Sequence, residues 1–372
     1  MDSIEDIQNV YFFGCWNNFN NKDAITPIYS HVIDKLNKQV KKNDILFILG
    51  DNYYSKKVHG ARQFVYDELK DGFDKLNLIK INKYIIFGNH DLEDYSFSYT
   101  NNGLPCPCPL TKFEYLLNND VLPNNLVDLC ALSLEQSSKL TKLLKKSLSL
   151  PLTPLSSPKL LKSSSLPFDE PRVDTYNNNN LKVPYGDLLV NDSHAIFFID
   201  TNLYEKKYSI NEDKYESSCY KRFGNSFQEI RDKIEMELFI FLAKNKHKNI
   251  ILACHYPLVS YRKKYGTPDI NSFIHKLYHI LQFFNIVTIT YLCADTHYYE
   301  HSQIIFNNLT IEQYIAGTGG TSLDDIRDSK EAIVLDIAGS DIKFNYQQLD
   351  LKQQHGYCKL DLSNGLISFI NI

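Results

Sequence analysis

The stretch YIIFGNHD, Tyr84 to Asp91, is an unbroken apolar run that stops at a glycine and at once delivers Asn89, His90 and Asp91. A short run of β-branched and aromatic residues bounded by a turn former reads as a strand buried on both faces. Four constrained residues directly behind it are seldom accidental. Working outward, the same plan recurs. Upstream, Ile45–Gly50 runs into Gly-Asp-Asn-Tyr-Tyr54, and Tyr11–Gly14 runs into Cys15, Trp16, Asn17 and Asn18. Downstream, Ala195–Asp200 leads to Thr201, Asn249–Cys254 to His255-Tyr-Pro257, and Val287–Cys293 to Ala-Asp295-Thr-His297. Six strands are therefore expected, and five of them end in groups that bind metal.

Between these runs the spacing turns helical. Helices are predicted from Pro27 to Lys41, from Gly60 to Leu76, and from a capping box at Ser226-Phe-Gln-Glu229 to about Lys246. Phe273, Leu277, Leu281 and Phe284 carry a helical stripe into the sixth strand. Strands alternating with helices predict an α/β protein with sheets buried between helical layers. After residue 300 short strands near Ile304, Tyr314, Ile333, Ile342, Cys358 and Ile367 read as antiparallel sheet.

Composition narrows the function. The chain has 372 residues, is 43% hydrophobic with 25 Tyr and 22 Phe, and so can fill a large core. Its formal charge of −4 builds no polyanion-binding field, and no nucleic-acid partner is expected. The opening MDSIEDIQNV has no signal-peptide plan and no apolar run is long enough to span a bilayer. An intracellular, cytoplasmic protein is expected, with its 8 scattered cysteines as free thiols. Residues 101–180, rich in Ser, Leu, Pro and Asn, read as a flexible low-complexity insertion within one domain over 1–372. Within it, Lys139 to Lys146 is expected to form a surface helix, a route to a protein partner, and Cys106 and Cys108 are expected to be plain loop cysteines.

Each polar group has a plainer reading. Gly-Asp is common turn chemistry, and a lone His255 before proline is usually a hydrogen-bonded core residue. His275 and His279, four apart on a helix, could in principle bind zinc, but without an intervening glutamate they are expected on exposed surface. The ordered set is different: Asp, Asn and His donors at the ends of separate strands are what a pair of hard cations needs.

The order Gly-Asp51, Gly-Asn-His-Asp91, His255-Tyr-Pro and a final His297 resembles the calcineurin-like metallophosphoesterases. Gly-Asp-Asn-Tyr-Tyr54, His-Tyr-Pro257 and Tyr314-Ile-Ala-Gly-Thr-Gly-Gly320 are similar to the purple acid phosphatase branch, the tartrate-resistant acid phosphatase-like group, and Asp200-Thr201 fits as well. The resemblance covers the chain outside 101–180. It implies a four-layer α/β/β/α sandwich hydrolysing a phosphate ester with two divalent or mixed-valence ions of Zn, Fe or Mn. It also implies roles. Asp51 would bridge the metals, Tyr54 and His297 would hold the first, and Asn89 and His255 the second. His90 would act as acid or electrostatic partner of the substrate, oriented by Asp91. Two positions depart from the pattern: Cys15 stands for an aspartate, and Asp295 for a histidine. Both remain donors, and a thiolate at the first position favours zinc over iron. The double departure also motivates the alternative, a catalytically impaired member of the fold serving as a binding scaffold.

Overall fold

The computed structural model describes residues 7–18, 27–54, 56–58, 61–63, 66–92, 185–205, 224–261, 268–326 and 332–372. The expected insertion, with Cys106, Cys108 and Lys139–Lys146, lies outside the described residues. The strands are β1 (Asn9–Phe13), β2 (Ile45–Leu49), β3 (Lys56–Val58), β4 (Ala61–Gln63), β5 (Asn82–Ile86), β6 (Tyr185–Leu189), β7 (His194–Ile199), β8 (Asn249–Ala253) and β9 (Val259–Tyr261). They continue with β10 (Pro268–Ile270), β11 (Thr288–Cys293), β12 (Tyr299–Ile305), β13 (Thr310–Ala316), β14 (Ile333–Asp336), β15 (Lys343–Lys352), β16 (Gly356–Asp361) and β17 (Leu366–Asn371). The helices are α1 (Ile28–Asn37), α2 (Tyr66–Leu76), the single turn α3 (Asn89–Leu92), α4 (Phe227–Asn245) and α5 (Phe273–Phe283).

Two mixed sheets carry the architecture. One has the order β17-β16-β1-β2-β5, the other β14-β15-β12-β13-β11-β8-β7-β6. Side chains alternate across each strand, and here both faces are apolar. Phe12, Phe47, Leu49 and Ile86 of the first sheet share a core with Ile196, Phe198, Ile251 and Leu292 of the second. Phe47 stacks on Tyr84 at 4.9 Å and meets Phe198 edge-on at 5.8 Å, so the sheets pack face to face. The opposite faces, with Tyr11, Phe13, Leu46 and Ile48 in one sheet and Phe197, Leu252 and Tyr291 in the other, join the helical core. Val32, Ile33 and Leu36 of α1 and Phe73 of α2 are buried in it, as are Ile234 and Leu238 of α4 and Leu277 and Leu281 of α5. The result is an α/β/β/α sandwich, the expected fold class.

Local departures have local causes. α1 stops at Asn37, short of Lys41; beyond it Asp44 accepts the Lys41 N–H at 2.8 Å and the Asn9 side-chain amide at 2.7 Å, tying that turn to β1. The helix expected from Gly60 begins only at Tyr66, and Ala61–Gln63 pairs with Lys56–Val58 as a hairpin. Ser226 Oγ caps α4 by accepting the Glu229 N–H at 3.0 Å, but Glu229 reaches back to Asn225 N, at 3.1 Å, instead of closing the box on Ser226. The tail is antiparallel as expected except where β13 runs parallel to β11, and β16 and β17 return to the first sheet, β16 pairing with β1. No described helix is long and apolar enough to cross a membrane.

Candidate metal centre

β1, β2 and β5 run parallel, so Cys15, Asp51 and Asn89, each just past a strand end, emerge on one edge of the first sheet. β8 and β11 are also parallel and bring His255 and Asp295 to one edge of the second. The two edges are fastened together. Gly14 N–H donates to Ala316 O at 2.9 Å, and His255 Nδ1–H donates to Leu49 O at 2.7 Å. Tight turns at the edge need unusual backbone. Cys15 (φ 53°), Asp51 (φ 53°) and Asp295 (φ 54°) are left-handed non-glycine residues, strain of the kind that concentrates at functional sites. Gly88 is compelled by proximity, because a Cβ there would lie 2.2 Å from Asp51 Oδ1.

The Asp51 carboxylate divides the donors into two sets. On one side Oδ2 accepts the Tyr54 hydroxyl at 2.7 Å and faces Cys15 Sγ at 3.9 Å. Tyr54 Oη also lies 3.2 Å from His297 Nε2. Cys15, Asp51 and His297 each offer a ligand atom within 4.8 Å of the others. On the other side Oδ1 lies 3.3 Å from His255 Nε2 and accepts the His90 N–H at 3.0 Å. His255 Nε2 further faces Asn89 Oδ1 at 3.2 Å and Asp295 Oδ1 at 3.7 Å.

Both sets suit cations. With Nδ1–H given to Leu49, His255 turns its Nε2 towards three oxygens, an arrangement that a cation placed between them would suit. On the first side burial, then the Asp51 charge, hold both the Cys15 thiol and the Tyr54 phenol well above their usual ranges. Both therefore keep protons directed at Asp51 until a cation replaces them. Burial pushes the Asp51 carboxyl up, but His255 and His90, the His90 N–H and the Tyr54 hydroxyl outweigh it and leave it lowered. A thiol, phenol, imidazole and carboxylate on one side, and imidazole, amide and carboxylates on the other, fit borderline divalent ions. Cys15, Asp51 and His255 are fully enclosed, whereas Asn89, His90, Asp295 and His297 are partly exposed. The centre opens on that side.

Several neighbours buttress the centre. The Asp91 carboxylate accepts Asn52 N at 2.9 Å, Asn52 Nδ2 at 2.7 Å and Gly88 N at 2.8 Å, locking the β2 and β5 exits together beside His90. Burial and Asp51 raise its pKa to about 7 against the pull of those three donors. Trp16 Nε1–H donates to Asn52 Oδ1 at 3.1 Å and completes the clasp. Asn17 turns away from the centre and donates to Leu69 O at 3.4 Å. Thr201 Oγ1 accepts the Tyr256 N–H at 3.0 Å, steadying the loop behind His255. Sequence reasoning missed Asp324. Its Oδ2 accepts the His297 N–H at 3.0 Å, and its Oδ1 lies 3.7 Å from His297 Nδ1. The carboxylate grips the backbone of residue 297 and faces its far ring nitrogen, and nothing in the spacing of residues 297 and 324 announces it.

No protein-family model matches the chain, and no curated protein does. Among solved structures it is similar to one from Plasmodium described as GAP50, the anchor in the inner membrane complex, at 12% identity and TM-score 0.48, covering 99% of this chain and 85% of that one. It is similar to purple acid phosphatase PPD1 from yellow lupin seeds, at 12% identity and TM-score 0.48, covering 97% of this chain. The chain spans about half of the lupin enzyme, 52% of its length. PhoD aligns at 11% identity and TM-score 0.48, covering 98% of this chain and 68% of that one.

Proposed function

We propose that the chain is a calcineurin-like metallophosphoesterase that hydrolyses a phosphate ester at a dinuclear centre. The observation that carries this reading is the Asp51 carboxylate, whose two oxygens face separate donor sets. Cys15, Tyr54 and His297 would hold one ion, and Asn89, His255 and Asp295 the other, with Asp51 shared. Bound there, the ions would supply an activated water and a clamp for phosphoryl oxygens. The chain's own residues do the rest. His90 sits half-buried with its ring 4.6 Å from that of Tyr54, at the open side, and is placed to donate a proton to the leaving oxygen. Asp91 and Asn52 fix the turn that presents it. Asp324, bonded to the His297 N–H, fixes the turn that carries His297, and the Leu49 carbonyl holds His255 Nε2 inward.

Native mass spectrometry with turnover of an aryl phosphate tests the reading. About two metal ions per chain are expected in the unaltered protein. Asn89→Ala is expected to lose one ion, whereas His90→Ala keeps both and loses on the order of 10²–10⁴ in rate. Full turnover in His90→Ala would remove His90 from the mechanism. The alternative, a non-hydrolytic scaffold, is favoured by Cys15 and Asp295 standing where the resemblance expects other donors. Metal-free protein without turnover would establish it over the enzyme.

A further inference from the structure

His275 and His279 occupy successive turns of α5, apart from the strand-end centre. The expectation of exposed surface fails: both rings are partly buried, and their Nε2 atoms lie 3.1 Å apart. The rings are perpendicular, at 88°, with centroids 4.6 Å apart. A head-on N–H···N bond of this length would set the ring centres about 5.4 Å apart, because a good hydrogen bond keeps donor, proton and lone pair in line. Instead the two rings are folded towards each other about that contact. A cation about 2.0–2.1 Å from each nitrogen would subtend an angle of about 100° and hold the ring centres about 4.8 Å apart. That is close to what α5 provides. Burial, then Lys276, lower the His275 pKa, and burial, His275 and Lys276 lower that of His279, so both favour the neutral, ligating form. Lys276, the nearby positive charge, is engaged by Glu235 of α4 at 3.4 Å.

We propose that His275 and His279 form a second, mononuclear metal site, a two-nitrogen chelate spanning one turn of α5. The cation is a late first-row divalent ion with cis coordination positions, of which Cu²⁺ binds nitrogen ligands most tightly and Zn²⁺ and Ni²⁺ follow. Water fills the remaining positions. Such a clip fastens residue 275 to residue 279 and opposes fraying of the helix.

Hydrogen exchange of α5 amides with Cu²⁺ alone as probe tests this. In the unaltered protein, free Cu²⁺ at ten times its Kd is expected to slow exchange over residues 277–283 by about tenfold, the factor mass action gives. Cys15→Ala, which removes the thiol from the strand-end centre, is expected to keep that protection. His275→Gln and His279→Gln are expected to lose it while matching the unaltered exchange without metal, which shows that α5 still folds. Unchanged α5 exchange on adding Cu²⁺, or protection surviving in either glutamine variant, would overturn the site. Should His275→Gln loosen the helix by itself, electron paramagnetic resonance of Cu²⁺ on the unaltered protein decides: two coupled imidazole nitrogens support the chelate, and one or none refutes it.

Discussion

Cys15 is fully buried, in a left-handed turn, with its sulfur aimed at a carboxylate oxygen. A thiolate there selects borderline and soft ions, whereas a carboxylate selects harder ones. Cys15→Asp is therefore expected to shift the bound metal from zinc towards iron or manganese, read by elemental analysis of protein purified from cells supplied with all three. Asp324 acts one bond further out. Asp324→Asn keeps the shape but weakens the hold on residue 297, and a loss of 10–100-fold in affinity for the ion proposed beside His297 is expected. Competition with a calibrated chelator measures it, and unchanged affinity would leave Asp324 a loop anchor only.

The polar strand ends were legible because an apolar run, a glycine and a donor sit within a few residues, inside the range of sequence periodicity. The β3–β4 hairpin was not, because Lys56–Val58 and Ala61–Gln63 are short and polar and carry no stripe. The bond from the Asn52 amide to Asp91 was not legible either, because the two residues follow different strands. A buried cation on an edge strand was also invisible. Lys83 of β5 is 4% exposed, and its ammonium donates to Ile81 O at 3.2 Å. Burial, then Lys80, lower its pKa to about 8. Between about pH 8 and the unfolded value near 10.4 the unfolded chain holds more protons, so stability rises with pH across that window. Below it the folded state bears the cost of a buried charge. Lys83→Met is expected to stabilise the protein by about 1–3 kcal/mol at pH 7, with the gain shrinking towards pH 10. Denaturant titration at both pH values checks it, and a pH-independent difference would contradict the assignment.

Across the whole molecule, each sheet supplies part of the donor set: Cys15, Asp51, Tyr54 and Asn89 follow strands of the first, and His255, Asp295 and His297 strands of the second. Bound ions would hold the sheets together as well as serve chemistry. At a hundred times Kd one ion stabilises by about 2.7 kcal/mol, so chelation is expected to lower Tm by several degrees. The same treatment of Asp51→Asn is expected to produce a much smaller drop in a thermal scan. An equal drop in both would place the stabilising ion elsewhere.

β1 lies between β2 and β16, with Phe12 opposite Cys358 and Phe47 in register on its two sides. During synthesis β2 leaves the ribosome soon after β1, and β16 follows more than 300 residues later. One edge of β1 must therefore stay unpaired, or borrow a temporary partner, while the residues between β1 and β16 are being made. Maturation of the centre should be a late event, with Cys15 exposed to oxidants in the nascent chain long before any ion can shield it.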